Sequence, residues 1–255
     1  LASFTVAGAS KRGWTAWLTA AVDGRVMAVA PMVIDVLNMR AQMDHQRPTW
    51  GDVSEQISDY SSLDLPRRLE TERGSLLLSI VDPFSYREQL IQPKLILLST
   101  NDRYWPLDAL KFYWPELQDP KHVLYVPNQG HGLRDVNRVI GGLSAVHRYA
   151  AEGRPLPRTA WSIAVRDRNL IVTVKPDRTP RRVVVWSARS PTRDFREAHW
   201  SSRPCKKTRD GYVCSAPRGE QGYRAVFAET AFRDPGSPGF STTTTVCLVG
   251  SDEGE

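Results

Sequence analysis

Four short apolar runs, at residues 4–7, 26–34, 94–100 and 123–126, limit the fold of this chain more than any other feature. Each is bounded by turn residues or proline, and none alternates strictly with polar residues, the pattern of a strand buried on both faces. Helical patterns lie between and after them: 14–22, carrying Trp14, Trp17, Leu18 and Ala21, then 108–114, then 136–151. Strands separated by helices pair in parallel, so the expected class is α/β. The long gap at 36–92 holds polar helical segments and aromatics. An insertion of that size is expected to cap one end of the sheet.

After the Pro- and Arg-containing stretch "AEGRPLPRTAW" the pattern changes. Short runs at 161–165, 170–175, 182–187, 211–215, 223–229 and 242–249 are separated by turn signals at Asp177, Asp210-Gly211 and Pro235-Gly236. Short strands at that spacing predict a small all-β, sandwich-like domain over 155–255, following an α/β domain over 1–154. Cys205 and Cys214 flank a segment that turns at Asp210-Gly211, so a disulfide stapling a hairpin is expected, with three buried thiols as the alternative. Cys247 has no evident partner in the sequence.

The net charge of +6 is unevenly placed. Residues 1–154 hold 17 basic and 17 acidic side chains, whereas 155–255 hold 17 basic and 11 acidic ones. The basic excess suits an anionic polysaccharide or membrane surface, or serves solubility alone. Scattered cations do not predict nucleic-acid binding. No run reaches 18 apolar residues, so no membrane-spanning helix is expected. No cysteine pair has zinc-ligand spacing near histidines, so neither a metal nor a cofactor is predicted.

Chemistry gathers at the strand ends. The first run turns at Gly8-Ala9-Ser10, the third ends in Asn101-Asp102, and the fourth leads into "QGHGL", which sets His131 between two glycines. Open α/β sheets place their sites at the carboxyl ends of strands, and Ser, Asp, His is the chain order of α/β-hydrolases. Ser10 is then the candidate nucleophile, His131 its base and Asp102 the group that orients the imidazole. The backbone N–H of Lys11 is the candidate oxyanion donor. Each residue also has a plainer reading. Ser10 can be a helix N-cap, Asp102 a turn residue with Asp108 or Asp135 in its role, and His131 an ordinary loop histidine. Tyr104, Trp105 and the cap residue His45 are candidate substrate contacts. Arg47, Trp50, Tyr60 and Phe84 either join them or simply pack. The expected activity is hydrolysis of an amide, peptide or ester bond in a small-molecule or peptide substrate. The alternative is a secreted binding or signalling protein that keeps this architecture with little turnover.

Five stretches, "VAGASKRGWTAWLTAAVDGRV", "APMVIDVLNM", "VDPFSYREQL", "PKLILLSTNDRYWPLDALKFYW" and "YVPNQGHGL", together resemble the PhoPQ-activated pathogenicity-related protein family. The resemblance continues through "WSARSPTRDFREAHW" and "GYRAVFAE". It implies an α/β-hydrolase-like domain with a C-terminal β domain, and a periplasmic or secreted location. One departure stands out. The usual elbow is small-x-Ser-x-small, but here Arg12 is two after Ser10 and glycine comes at Gly13, a spacing similar to that of glucuronoyl esterases. The Lys11 ammonium either adds charge near the oxyanion or points to solvent. In a hydrolase sheet the nucleophile follows the fifth strand. The sequence begins at Leu1, so the earlier strands and the second oxyanion donor are expected outside it, leaving an unpaired strand edge. Such a half-sheet is expected to be poorly stable and inactive alone.

Overall fold

The computed structural model describes residues 2–166, 169–219, 221–234 and 239–250. The chain opens with β1 (Phe4–Ala9), α1 (Lys11–Val22) and β2 (Val26–Met32), then enters the insertion. The insertion is helical: α2 (Met39–Trp50), α3 (Ser58–Ser61), α4 (Leu65–Arg68) and α5 (Glu72–Val81). It is followed by β3 (Lys94–Ser99), β4 (Lys121–Val126) and α6 (Val136–Ala151). Strands β1 to β4 are parallel neighbours in sequence order.

The continuous apolar runs have a direct cause. Val29, Ile96, Leu98, Val123 and Tyr125 face one core with Ala16, Trp17 and Ala20 of α1. Ala28, Ala30, Leu95, Leu97, Leu124 and Val126 face a second core with Ala145, Val146 and Tyr149 of α6. Both faces of β2, β3 and β4 are covered, so their central positions are apolar, whereas β1 at the sheet edge is only half-buried. Each buried Val, Leu or Ile contributes roughly 1.5–3 kcal/mol. Gly142 brings α6 close: a Cβ there would stand 3.0 Å from Leu95 Cδ2.

The helix expected over 108–114 is instead two 3₁₀ turns, Ala109–Phe112 and Trp114–Glu116. Asp108 makes no capping bond, because its carboxylate goes to His45 and Lys111. Pro115 also disfavours an α conformation at Trp114.

The C-terminal part comprises β5 (Thr159–Arg166), β6 (Asn169–Pro176), β7 (Arg182–Ser190), β8 (Ser201–Pro204), β9 (Lys206–Thr208), β10 (Gly211–Pro217), β11 (Tyr223–Phe232), β12 (Phe240–Thr243) and β13 (Cys247–Gly250). The antiparallel sheet β5-β6-β10-β9 packs Leu170, Val172, Val174 and Ala216 on Val183, Val185, Val226 and Ala228 of β7 and β11. Residues Asp210-Gly211 turn β9 into β10, and Cys205 is bridged to Cys214 with Cα atoms 4.4 Å apart. The turn signal Pro235-Gly236 lies outside the described residues.

The sheet does not stop at residue 154. Strand β12 pairs antiparallel with β4 at Thr243 and Val123, giving one nine-stranded sheet in the order β1-β2-β3-β4-β12-β11-β7-β8, with β13 also on β11. The α1 core likewise runs on through Ala188, Phe195, Trp200 and Phe227. At the other end, among the described residues, β1 pairs only with β2. Among the described residues no helix is long and apolar enough to cross a membrane.

Candidate active site

The turn from β1 to α1 is a strained elbow with Ser10 at its apex, φ 55° and ψ −130°. A non-glycine residue holds such a conformation only when its surroundings impose it. The Ser10 N–H donates to Met32 O at 2.9 Å, while its carbonyl accepts from Gly13 N at 2.8 Å and Trp14 N at 3.1 Å. Two glycines allow this approach. A Cβ on Gly8 would lie 2.3 Å from Arg12 O, and one on Gly13 would lie 2.8 Å from Gly8 O. Gly13 therefore supplies the clearance that a small residue two after the serine gives in the usual elbow. The Ser10 side chain makes no capping bond, so it is not the N-cap of α1 in the chemical sense. The Lys11 N–H opens α1 and has no acceptor within its own helix.

Asp102 and His131 leave the ends of β3 and β4 and meet. His131 Nδ1 is 2.9 Å from Asp102 Oδ2 and 3.1 Å from Oδ1. The carboxylate is held by the Tyr104 N–H at 2.8 Å and by Ser99 Oγ at 3.4 Å. The Tyr104 ring stacks on the imidazole with centroids 4.0 Å apart. His131 Nε2 is buried and has no hydrogen-bond partner among the described residues. An Nδ1 proton facing a carboxylate leaves the Nε2 lone pair available. The alternatives to Asp102 are engaged elsewhere: Asp108 with His45 and Lys111, and Asp135 as the cap of α6.

Ser10, Lys11, Tyr104, Trp105 and His131 line one cavity of about 160 Å³. The insertion forms its far wall with Met39, Met43, Ile57, Tyr60 and Leu69. The Lys11 ammonium stands 5.9 Å from the Tyr60 ring centroid, turned toward the insertion.

His45 is not in this wall. Its Nε2 lies 2.6 Å from Asp108 Oδ1, and its ring meets Phe112 edge-on. Helical geometry explains the miss. Met39 and Met43, four apart, face the cavity, while Gln42, His45, Gln46 and Thr49 face the body of the protein. Burial opposes the Asp108 charge, but His45 and Lys111 together hold its pKa at about 2. Arg47 is exposed and also lies off the cavity. Trp50 packs under the Arg196 guanidinium and Phe84 under that of Arg87, so of Trp50, Tyr60 and Phe84 only Tyr60 lines it.

Three groups escaped the sequence reading. Asp35, buried after β2, accepts from Tyr113 Oη at 2.6 Å. Burial pushes its pKa up to about 7, against the pull of the Tyr113 bond and with the help of the Asp102 and Asp108 charges. Asn101 Nδ2 donates to the carbonyls of Phe195, Arg196 and Ala198, and Asn128 bonds the backbone of Trp200. These two amides fasten the Asp102 and His131 loops to the segment before β8. Their only signal in the sequence is position, beside the two candidate residues. Among the described residues no cluster of three His, Cys, Asp or Glu side chains could hold a metal ion.

Several solved structures align over part of the chain. An acetyl xylan esterase from Paenibacillus sp. R4 aligns with 20% identity and a TM-score of 0.42, covering 57% of this chain and 44% of that one. A monoacylglycerol lipase from Paleococcus ferrophilus aligns with 16% identity and a TM-score of 0.34, covering 59% and 67%. Likeness at that level leaves the chemistry to the residues themselves. Autocrine proliferation repressor protein A of Dictyostelium discoideum is 31% identical over 255 residues, covering 90% of this chain and 51% of the relative. The chain thus spans about half the length of that curated relative. A family profile matches residues 1–196, a span that takes in the Ser10 elbow, the insertion, Asp102, His131 and the Phe195–Arg196 backbone latched by Asn101. By that match, the chain belongs to the PhoPQ-activated pathogenicity-related protein family.

Proposed function

We propose that the full-length protein is a serine hydrolase that cleaves a carboxylic ester or amide through Ser10, His131 and Asp102. The observation carrying this reading is the His131 ring, bonded to Asp102 through Nδ1 and unpartnered at Nε2 in the cavity that Ser10 also lines. Ser10 Oγ attacks the carbonyl carbon as its proton passes to His131 Nε2. Asp102 holds the imidazolium, and the Lys11 N–H donates to the oxyanion. Collapse breaks the bond to the leaving group, which takes the proton from His131. Water, deprotonated by the same nitrogen, then releases the acid and restores Ser10. The apolar cavity takes the acyl group.

The disulfide between Cys205 and Cys214 supports a periplasmic or secreted location. A second reading, a secreted signalling protein with little turnover, draws on the printed name of the Dictyostelium relative. Hydrolysis of p-nitrophenyl esters and aminoacyl anilides by the full-length protein separates the two. The proposal expects turnover that falls about a thousandfold or more in His131→Ala. Turnover equal in wild type and His131→Ala contradicts it.

A further inference from the structure

We propose that the open end of the C-terminal sandwich binds a doubly charged tetrahedral oxyanion, a phosphate or sulfate group, through Arg224, Arg189 and Arg203. The site is a cavity of about 320 Å³ that shares no lining residue with the one at Ser10. It is therefore independent of the hydrolase reading.

Strand pairing collects the three guanidinium groups. Arg224 of β11 lies directly opposite Arg189 of β7. Arg203 of β8 lies opposite Val185, and Ser201 opposite Ser187, so residues 185, 187, 189, 201, 203 and 224 share one face. Like charges directly opposite one another destabilise a sheet. Arg224 is only 5% exposed, and its Nε and Nη2 have neither solvent nor, among the described residues, a hydrogen-bond partner. A buried cation left unpaired is costly. Burial, with the charges of Arg189 and Arg203, pulls its pKa down to about 10.

Among the described residues no acidic side chain lines this cavity; its other polar side chains are Ser187, Ser201, Ser215 and His199. The rest of the molecule behaves differently. Arg138 reaches Glu229, Arg148 reaches Asp234, and Arg196 reaches Asp194. These three partly buried arginines are given carboxylates, while the more deeply buried Arg224 faces two further arginines. The missing partner is an anion from outside the chain. A guanidinium matches the oxygen spacing of phosphate and sulfate with two parallel N–H bonds. Three cations favour a dianion over a single carboxylate.

Calorimetric titration of the full-length protein with inorganic phosphate and with sulfate, at constant ionic strength, tests the proposal. Acetate serves as the monoanion control. One site is expected, with acetate far weaker, and the tighter of the two dianions identifies the group preferred. Arg203→Gln, at an exposed position, should weaken binding about tenfold or more. Arg224→Met should abolish binding and also raise the thermal midpoint of the unliganded protein. Arg182→Gln, on the opposite face of β7, should change neither. Acetate binding as tight as phosphate and sulfate, or dianion binding unaltered in Arg203→Gln, overturns the proposal. So does association with anionic lipid vesicles in the absence of any phosphate or sulfate binding.

Discussion

Asn128 and Trp200 bond one another in both directions: the Trp200 N–H donates to Asn128 Oδ1 at 2.7 Å, and Asn128 Nδ2 donates to Trp200 O at 2.9 Å. Asn128 sits at φ 56°, a conformation that asparagine tolerates better than most residues. With Asn101 latched to the preceding carbonyls, the loops carrying Asp102 and His131 rest on the segment that leads into β8.

Asn128→Gly should therefore cost about 1–3 kcal/mol by stranding the Trp200 backbone groups. Glycine keeps the positive φ free of strain, so the loss reports the hydrogen bonds. Reaction at Ser10 should slow in parallel, by about tenfold or more, because misplaced catalytic groups lose rate steeply. Denaturant midpoints and labelling rates with an active-site probe check both. Lowered stability with an unchanged labelling rate would show that the latch does not position His131.

The insertion should set acyl selectivity through the residues that line the cavity. Its 160 Å³ is close to the roughly 150 Å³ apolar cavity that accepts benzene. Ile57→Trp should lower kcat/KM for hexanoyl or benzoyl esters at least about tenfold relative to acetyl esters. His45→Ala should leave that ratio alone and cost on the order of 2 kcal/mol in stability. That is less than the roughly 3–5 kcal/mol of a fully buried pair, because Lys111 remains on Asp108. A panel of p-nitrophenyl esters measures the ratios. A selectivity change in His45→Ala with none in Ile57→Trp would contradict this assignment of the wall.

Two buried groups should give stability opposing pH slopes. Asp35 is raised from its ordinary 3.8 to about 7, so between those values the folded protein holds a proton that the unfolded chain has lost. Stability there falls as pH rises, by up to about 1.4 kcal/mol per pH unit. Burial of His122, helped by the Arg158 charge, lowers its pKa from 6.5 to about 4. In that window the unfolded chain holds the extra proton, and stability rises with pH. The two offset one another in the wild type. Asp35→Asn removes the first, so its stability should climb more steeply than wild type between pH 4 and 6.5. Urea midpoints across that range test it, and parallel profiles would show that Asp35 is ionised in the folded state.

What could be read from the sequence divides along physical lines. Strands β2 to β4 are legible as buried because they are continuous apolar runs, and α6 because its apolar face recurs at the helical period; β1 forms where its run predicts but is only half-buried at the sheet edge. Ser10, Asp102 and His131 are legible because they stand where such strands end. The wall of the cavity is not, because α2 buries Gln42 and Gln46 against backbone groups, so polarity misstates which face is inside. The continuation of the sheet is also hidden. It depends on Thr243 meeting Val123, a pairing across 120 residues that no local pattern encodes. Ser10 itself looks like a helix cap until its backbone angles and its uncapped hydroxyl are known.

The most direct measurement is fluorophosphonate labelling of the full-length protein, followed by mass spectrometry of the modified peptide. A single adduct on Ser10 is expected, abolished in Ser10→Ala and reduced about a thousandfold or more in His131→Ala. An adduct on another serine that persists in Ser10→Ala would contradict it.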